Sequence, residues 1–240
     1  MEHKNTILIA GGQAEPELLS TLENQYLQQG WEVYFSQQSE YAKITQAIDT
    51  IIIGERKLNA FIYISPPPLR GSMLDDDDNI IANTMSDDLE RGLWWVQNAC
   101  KKMVQQGVQG RVVTLAHIAA LVPTEYYSYG AASQLALMNT CRSGIQELVH
   151  YGIKINTLFR GFTEEDPQQK TFVEQLRQLH KDDGIPLLEY TGAAEIAKTC
   201  TLLTDPQIHS FNGAMLTLDG GFYITRKIRY LDPIREYKAK

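Results

Sequence analysis

Cysteine, positive charge and long apolar runs are all scarce in this chain, and each shortage removes a class of function. The 3 cysteines among 240 residues, Cys100, Cys141 and Cys200, are odd in number, far apart and without a Cys-x-x-Cys pair. That excludes a disulfide framework and suits free thiols in a reducing compartment, so a cytoplasmic location is expected. No uninterrupted apolar run is long enough to span a bilayer, and the N-terminus leads into a short strand without an apolar signal segment. The chain is therefore expected to be neither exported nor membrane-spanning. Lys and Arg number 22 against 29 Asp and Glu, a net charge of -7 with no early basic cluster, which disfavours nucleic acid as a partner. Lysine is missing altogether between Lys102 and Lys154. Low complexity is confined to residues 75–78, four consecutive aspartates. They lack the spaced ligands of a calcium loop and read as a solvated acidic loop, so no metal is expected.

What is present is a regular alternation of short apolar runs and helical patterns. With 43% hydrophobic residues, the chain is long enough to bury one substantial core, and a single domain over residues 1–240 is expected, with 222–240 as a C-terminal tail. Residues 6–10 (TILIA) read as a buried first strand before Gly11, and a helix to Gly30 leads into a second strand at 31–36 (WEVYFS). One helix over 40–54 then precedes a third strand at 60–65 (AFIYIS). Residues 86–106 carry Leu89, Leu93, Val96, Cys100 and Met103 at helical spacing, with Ser86, Asp87 and Asp88 as a candidate N-terminal cap. Trp94 and Trp95 cannot both face one core. An apolar strand from Arg111, a Tyr-rich loop, a long helix and a strand ending at Gly161 complete the central part. The alternation predicts an α/β fold, a doubly wound parallel sheet with helices on both faces.

The motifs are specific and incomplete. The first turn reads Ala10-Gly-Gly-Gln-Ala-Glu15-Pro16-Glu17, and the second strand ends in Ser36-Gln37-Gln38. The fourth strand ends at His117, the following loop holds Tyr126, Tyr127 and Tyr129, and four residues beyond Tyr129 stands Ser133. Asn156 is followed by Arg160-Gly161. Near the C-terminus stand Thr191-Gly-Ala-Ala-Glu-Ile-Ala-Lys and Phe211-Asn-Gly-Ala-Met-Leu-Thr-Leu-Asp-Gly-Gly221.

This pattern resembles the short-chain dehydrogenase/reductase family, whose NAD(P)-dependent members have about this length and a Rossmann-like fold. In that family the first turn is Thr-Gly-x-x-x-Gly-x-Gly, the fourth strand ends in a catalytic Ser, Tyr-x-x-x-Lys opens the next helix, and the fifth strand runs into Asn-x-x-x-Pro-Gly. The resemblance places the four catalytic positions at Asp88, His117, Tyr129 and Ser133, none with the family's full set of residues. Tyr129 lies one residue nearer His117 than the family's spacing, so Tyr126 and Tyr127 are alternative occupants. Without the Lys, a tyrosine keeps a pKa of about 10 and is almost wholly protonated near neutrality. In the glycine motif Gly11 is kept, while Glu15 and Glu17 replace the second and third glycines. A carboxylate about 4 Å from a phosphate charge costs on the order of 4 kcal/mol at an effective dielectric near 20. The residues alone also read as helix-start chemistry, Pro16 near N1 with acidic neighbours. Arg160 replaces the proline at the corner where the family meets the nicotinamide. Between the second and third strands one βα step of the adenosine side is shortened or missing.

The resemblance therefore implies loss of NAD(P) binding in this chain, with helices and strands of subunit contact still normal. The expectation is a catalytically inactive subunit of a hetero-oligomeric NAD-dependent alcohol dehydrogenase or ketoreductase, joined in a heterotetramer to an active paralogue that binds NAD; a homo-oligomer is the other possibility. The family includes such a pairing in the alcohol dehydrogenase of anaerobic toluene degradation, 2-[hydroxy(phenyl)methyl]succinyl-CoA dehydrogenase. Its substrate suggests a coenzyme A thioester. Two alternatives stand beside this reading: a dehydratase or isomerase using His117 as base with Tyr129 or Tyr127, and a ligand-sensing regulator.

Overall fold

A computed structural model describes residues 4–11, 15–67, 78–124, 127–179 and 189–224. Six parallel strands form one sheet in the order β2-β1-β3-β4-β5-β6. They are β1 (Thr6–Gly11), β2 (Glu32–Ser36), β3 (Leu58–Ile64), β4 (Arg111–His117), β5 (Lys154–Arg160) and β6 (Met215–Leu218). The central strands are mostly apolar and buried along nearly their whole length because both faces are covered. Alternate residues of β1 divide between the two sides: Ile7 and Ile9 pack with Leu18, Leu22, Ile196 and Cys200, while Leu8 and Ala10 pack with Ile44, Ile48, Trp95 and Ala99. The first set brings in α1 (Pro16–Gln28) and α7 (Ala193–Thr204); the second brings in α2 (Tyr41–Ile51), α4 (Arg91–Gln105) and α5 (Ser128–Leu148). A buried hydrogen bond of 2.6 Å between Tyr26 Oη and Thr204 Oγ1 fastens α1 to α7.

A single helix, α2, connects β2 to β3, and β2 pairs only with β1, so it forms the sheet edge. The chain leaves β1 for β2 on one side and returns to β3 on the other, which opens a crevice at the C-terminal ends of β1 and β3.

The helix expected to start at Ser86 starts earlier. It runs as α3 (Asp78–Met85), passes through a π-helical turn at Ser86–Glu90 and continues as α4. Met85 already has helical angles, φ -64 and ψ -43, so Ser86 caps nothing, and its hydroxyl donates to Glu90 Oε2 at 3.2 Å. The tertiary contact of α3 with α5 extends the helix past a local cap signal. Asp78, last of the aspartate run, is helical, and residues 75–77 lie outside the described set. The tryptophans divide: Trp95 stacks on Phe61 at 6.1 Å and donates from Nε1 to the Gln38 carbonyl at 3.1 Å, whereas half-buried Trp94 meets the Tyr41 ring of α2 edge-on at 5.8 Å.

Asn156 holds the last strand in place: its Oδ1 accepts from Ala214 N–H at 3.0 Å and its Nδ2 donates to the Phe211 carbonyl at 3.3 Å. Gly161 completes that junction. Its N–H donates to the Leu218 carbonyl at 2.8 Å, and a Cβ there would lie 2.6 Å from Thr191 Oγ1. Both residues of the family's fifth-strand motif that survive here are used by the backbone.

Candidate functional site

The cleft lies over the C-terminal ends of the strands, where the N-termini of α1, α6 (Pro167–Leu179) and α7 open onto a cavity of about 510 Å³. Gly11 ends β1 with φ +84, and a Cβ at this position would stand 2.1 Å from the Ile64 carbonyl oxygen. Glycine is required here by the approach of the β1 and β3 backbones, whatever the cleft binds.

Glu15 precedes α1 at its cap position and Pro16 is at the first helical position, as the local pattern suggests, but the Glu15 side chain makes no cap. It crosses the cleft to Arg160, the last residue of β5. Arg160 Nη2 donates to Glu15 Oε1 at 2.6 Å, and Nη1 donates to Oε2. The two side chains are 3% and 15% exposed, so the pair is withdrawn from water. Burial pulls the Arg160 guanidinium down to about 10, with Asp166 and Glu165 pulling the other way. It stays cationic at neutral pH.

Four carboxylates, Glu15, Glu17, Glu165 and Asp166, line the cavity together with Arg160. The positive helix ends are met by the chain's own acids. Glu17 stands in the first turn of α1, Asp166 Oδ1 accepts from Gln169 N–H at 3.2 Å before α6, and Glu195 Oε2 accepts from Gly192 N–H at 3.3 Å before α7. These residues do not fit a dinucleotide. The helix ends that would attract a diphosphate are met by carboxylates, and the cation lining the cavity, Arg160, is committed to Glu15.

His117 ends β4 and is 1% exposed. Its Nδ1 accepts from Ala119 N–H at 3.1 Å, which places the ring proton on Nε2. Nε2 lies toward Gln169 without a partner at hydrogen-bonding geometry. Burial lowers the imidazole to about 4, against smaller raising effects of Gln169 and Asp166. Of the two described tyrosines of this loop, Tyr127 is the one with a ring contact to His117: it precedes α5, is buried, and its ring is nearly parallel to the imidazole at 6.2 Å and 10°. Tyr129 lies half-buried in the first turn of α5, and Tyr126 is outside the described residues. Ser133 Oγ donates to the Tyr129 carbonyl at 3.0 Å and sits 3.0 Å from Met85 Sδ, which spends it on the α5–α3 contact. Asp88 is buried in the π-helical turn.

Residues without any local sequence signal finish the site. Gln134 Oε1 accepts the backbone N–H of His117 at 2.7 Å while its Nε2 donates to the Pro66 carbonyl at 2.9 Å, joining β4, α5 and the segment after β3. Phe162 stands edge-on to His117 at 5.0 Å and contacts Phe172 and Phe222 at 5.2 and 5.3 Å; Tyr127 meets Phe172 at 6.3 Å. With Val173, Leu176 and Met138 these rings make a packed cluster beyond the end of β4. The three cysteines are buried, with each thiol pushed up to about 12 mainly by burial, so none is poised as a nucleophile. Among the described residues no group of three or more His, Cys, Asp or Glu is placed to hold a metal ion, and no helix is long and apolar enough to cross a membrane.

Sheet order, cleft position and the closing strand define a class, and comparison with known proteins agrees. Residues 43–223 match the family model described as "Enoyl-(Acyl carrier protein) reductase", a short-chain dehydrogenase model. The chain belongs to the short-chain dehydrogenase/reductase family. It is 24% identical over 153 residues to an "L-rhamnose 1-dehydrogenase (NAD(P)(+))" of Sphingomonas sp. (strain SKA58), covering 64% of this chain and 60% of that protein. It is 26% identical over 160 residues to "Short-chain dehydrogenase reductase 4" of Arabidopsis thaliana, covering 65% and 53%. The matches thus span about three fifths or less of these relatives' lengths. The solved structure "ElxO with NADP Bound" shares the fold with a TM-score of 0.77 at 16% identity, covering 92% of this chain and 99% of that one.

Proposed function

We propose that this chain is a non-catalytic subunit of a short-chain dehydrogenase/reductase complex, an oxidoreductase whose NAD and substrate are bound by an active paralogous subunit. The observation that carries the reading is the Glu15–Arg160 pair, which sets the chain's own charges on the edge where a dinucleotide would lie. The loss of a lysine after the tyrosines and the sealed His117 support it from the catalytic side. The ordinary packing of α4, α5 and β6 supports retention of the surfaces through which such subunits meet in a heterotetramer, in the cytoplasm. A coenzyme A thioester is the substrate class the resemblance suggests for the active partner. A dehydratase or isomerase using His117 and Tyr129 is disfavoured, because the imidazole is fully buried, has Nδ1 occupied and is a weak base. The cavity of about 510 Å³ favours a ligand-sensing role as the second reading.

Titration with NADH and NADPH, followed by nicotinamide fluorescence, tests the proposal. The chain alone is expected to bind neither, and the complex co-purified with its paralogue is expected to bind at about half its subunits. Tight binding by the lone chain would overturn the reading.

A further inference from the structure

We propose that the Glu15–Arg160 ion pair is a latch that stands in for the cofactor. This rests on the reading that the chain binds no dinucleotide. The partners are 145 positions apart in sequence. One precedes α1, at the exit of β1; the other ends β5, and β3 and β4 lie between those strands in the sheet. The pair therefore reaches over the ends of two intervening strands, along the crevice edge on which a doubly wound fold lays its ligand. A bound dinucleotide ties the first turn to the far side of such a cleft from outside the chain; here two side chains do so from within.

The geometry makes the pair a structural unit rather than a surface contact. Arg160 is 2% exposed, its Nη1 and Nη2 both donate to Glu15, and its Nε has no hydrogen-bond partner among the described residues. Asp166 and Glu165 act on it through their field. Two parallel N–H to carboxylate bonds fix the orientation of both groups. Removing either partner strands a charge in a nearly dry site, whereas removing both leaves neither charge of the pair unmatched. The latch holds the cleft's rim in its folded position without any ligand.

The test is a double-mutant cycle read by thermal melting, with NADH titration of the wild type alongside. Glu15→Gln is expected to lower the melting temperature by about 10 °C. Arg160→Met should lower it by a similar amount, and the double variant should recover at least half of the combined loss. If Glu15→Gln is too unstable to purify, Arg160→Met and the double variant carry the comparison, since the double variant should melt at least as high as the single. A Glu15→Gln variant melting within about 2 °C of wild type, or a double variant whose loss equals the sum of the singles, overturns the latch. NADH binding separates the two claims. No binding together with additive losses overturns the latch alone; binding together with strong coupling overturns the non-catalytic reading and with it the stand-in for the cofactor, leaving the pair as a coupled buried ion pair.

Discussion

The two halves of the cleft are closed by different physics. Beneath α1 and α7, where the family places its cofactor, closure on the proposed reading is electrostatic: a buried ion pair and three further carboxylates, with prolines and aliphatic side chains between them, line a cavity of about 510 Å³. Beyond the end of β4 closure is steric, with Phe162, Phe172, Phe222 and Tyr127 packed against His117. A site shut by charge keeps its shape, because a carboxylate repels a diphosphate without filling its volume. A site shut by packing loses the volume itself. The first is open to repair by a few substitutions at polar positions; the second is part of the hydrophobic core.

That contrast can be broken at its strongest point. Phe162→Ala removes the ring that contacts His117, Phe172 and Phe222, and a cavity left in a packed cluster costs about 3–5 kcal/mol. Urea unfolding should show that loss; a loss below about 1 kcal/mol would mean that the aromatic half is loosely filled. The sealing of His117 gives a sharper, pH-dependent signature. Its folded value, about 4, lies below the unfolded value near 6.5, so the unfolded chain takes up a proton that the folded chain refuses. Stability from this group is complete above pH 6.5 and is lost as the pH falls toward 4, by up to about 3 kcal/mol. His117→Gln cannot titrate, so between pH 7 and 4.5 the wild type should lose about 2 kcal/mol more than the variant in urea. Parallel curves would show that the imidazole reaches water. The smallest effect belongs to the rim of the charged half. Glu165 is exposed, and Glu165→Gln should change unfolding free energy by no more than about 0–1 kcal/mol. A larger loss would show that the rim acids, and not Glu15 alone, hold Arg160 in place.

Much of this architecture was legible in the residues themselves. The runs TILIA, WEVYFS and AFIYIS are strands within a residue or two at each end, and the short interval between the second and third does leave β2 at the edge. These are short-range properties, set by apolar continuity and chain length. The helix start at Ser86 misled because a good local cap is only one term, and contact with α5 outweighs it. Glu15 and Arg160 were each conspicuous as substitutions, yet nothing local announces that a side chain at the start of α1 and one at the end of β5 face each other. The same holds for Gln134, whose amide joins three segments. Which described tyrosine stands beside His117 depended on where α5 begins: a helix starting at Ser128 leaves Tyr127 just before it, with its ring nearly parallel to the imidazole at 6.2 Å.

Gly11 carries a lesson for anyone sorting such chains by their glycines. Its positive φ and the Ile64 carbonyl at its back mean that the residue answers to the backbone of the sheet before it answers to any ligand. A search that credits this glycine toward nucleotide binding would count a carpenter's joint as a door handle. The positions that report on binding are those the fold leaves free to vary, and in this turn they read Glu15 and Glu17.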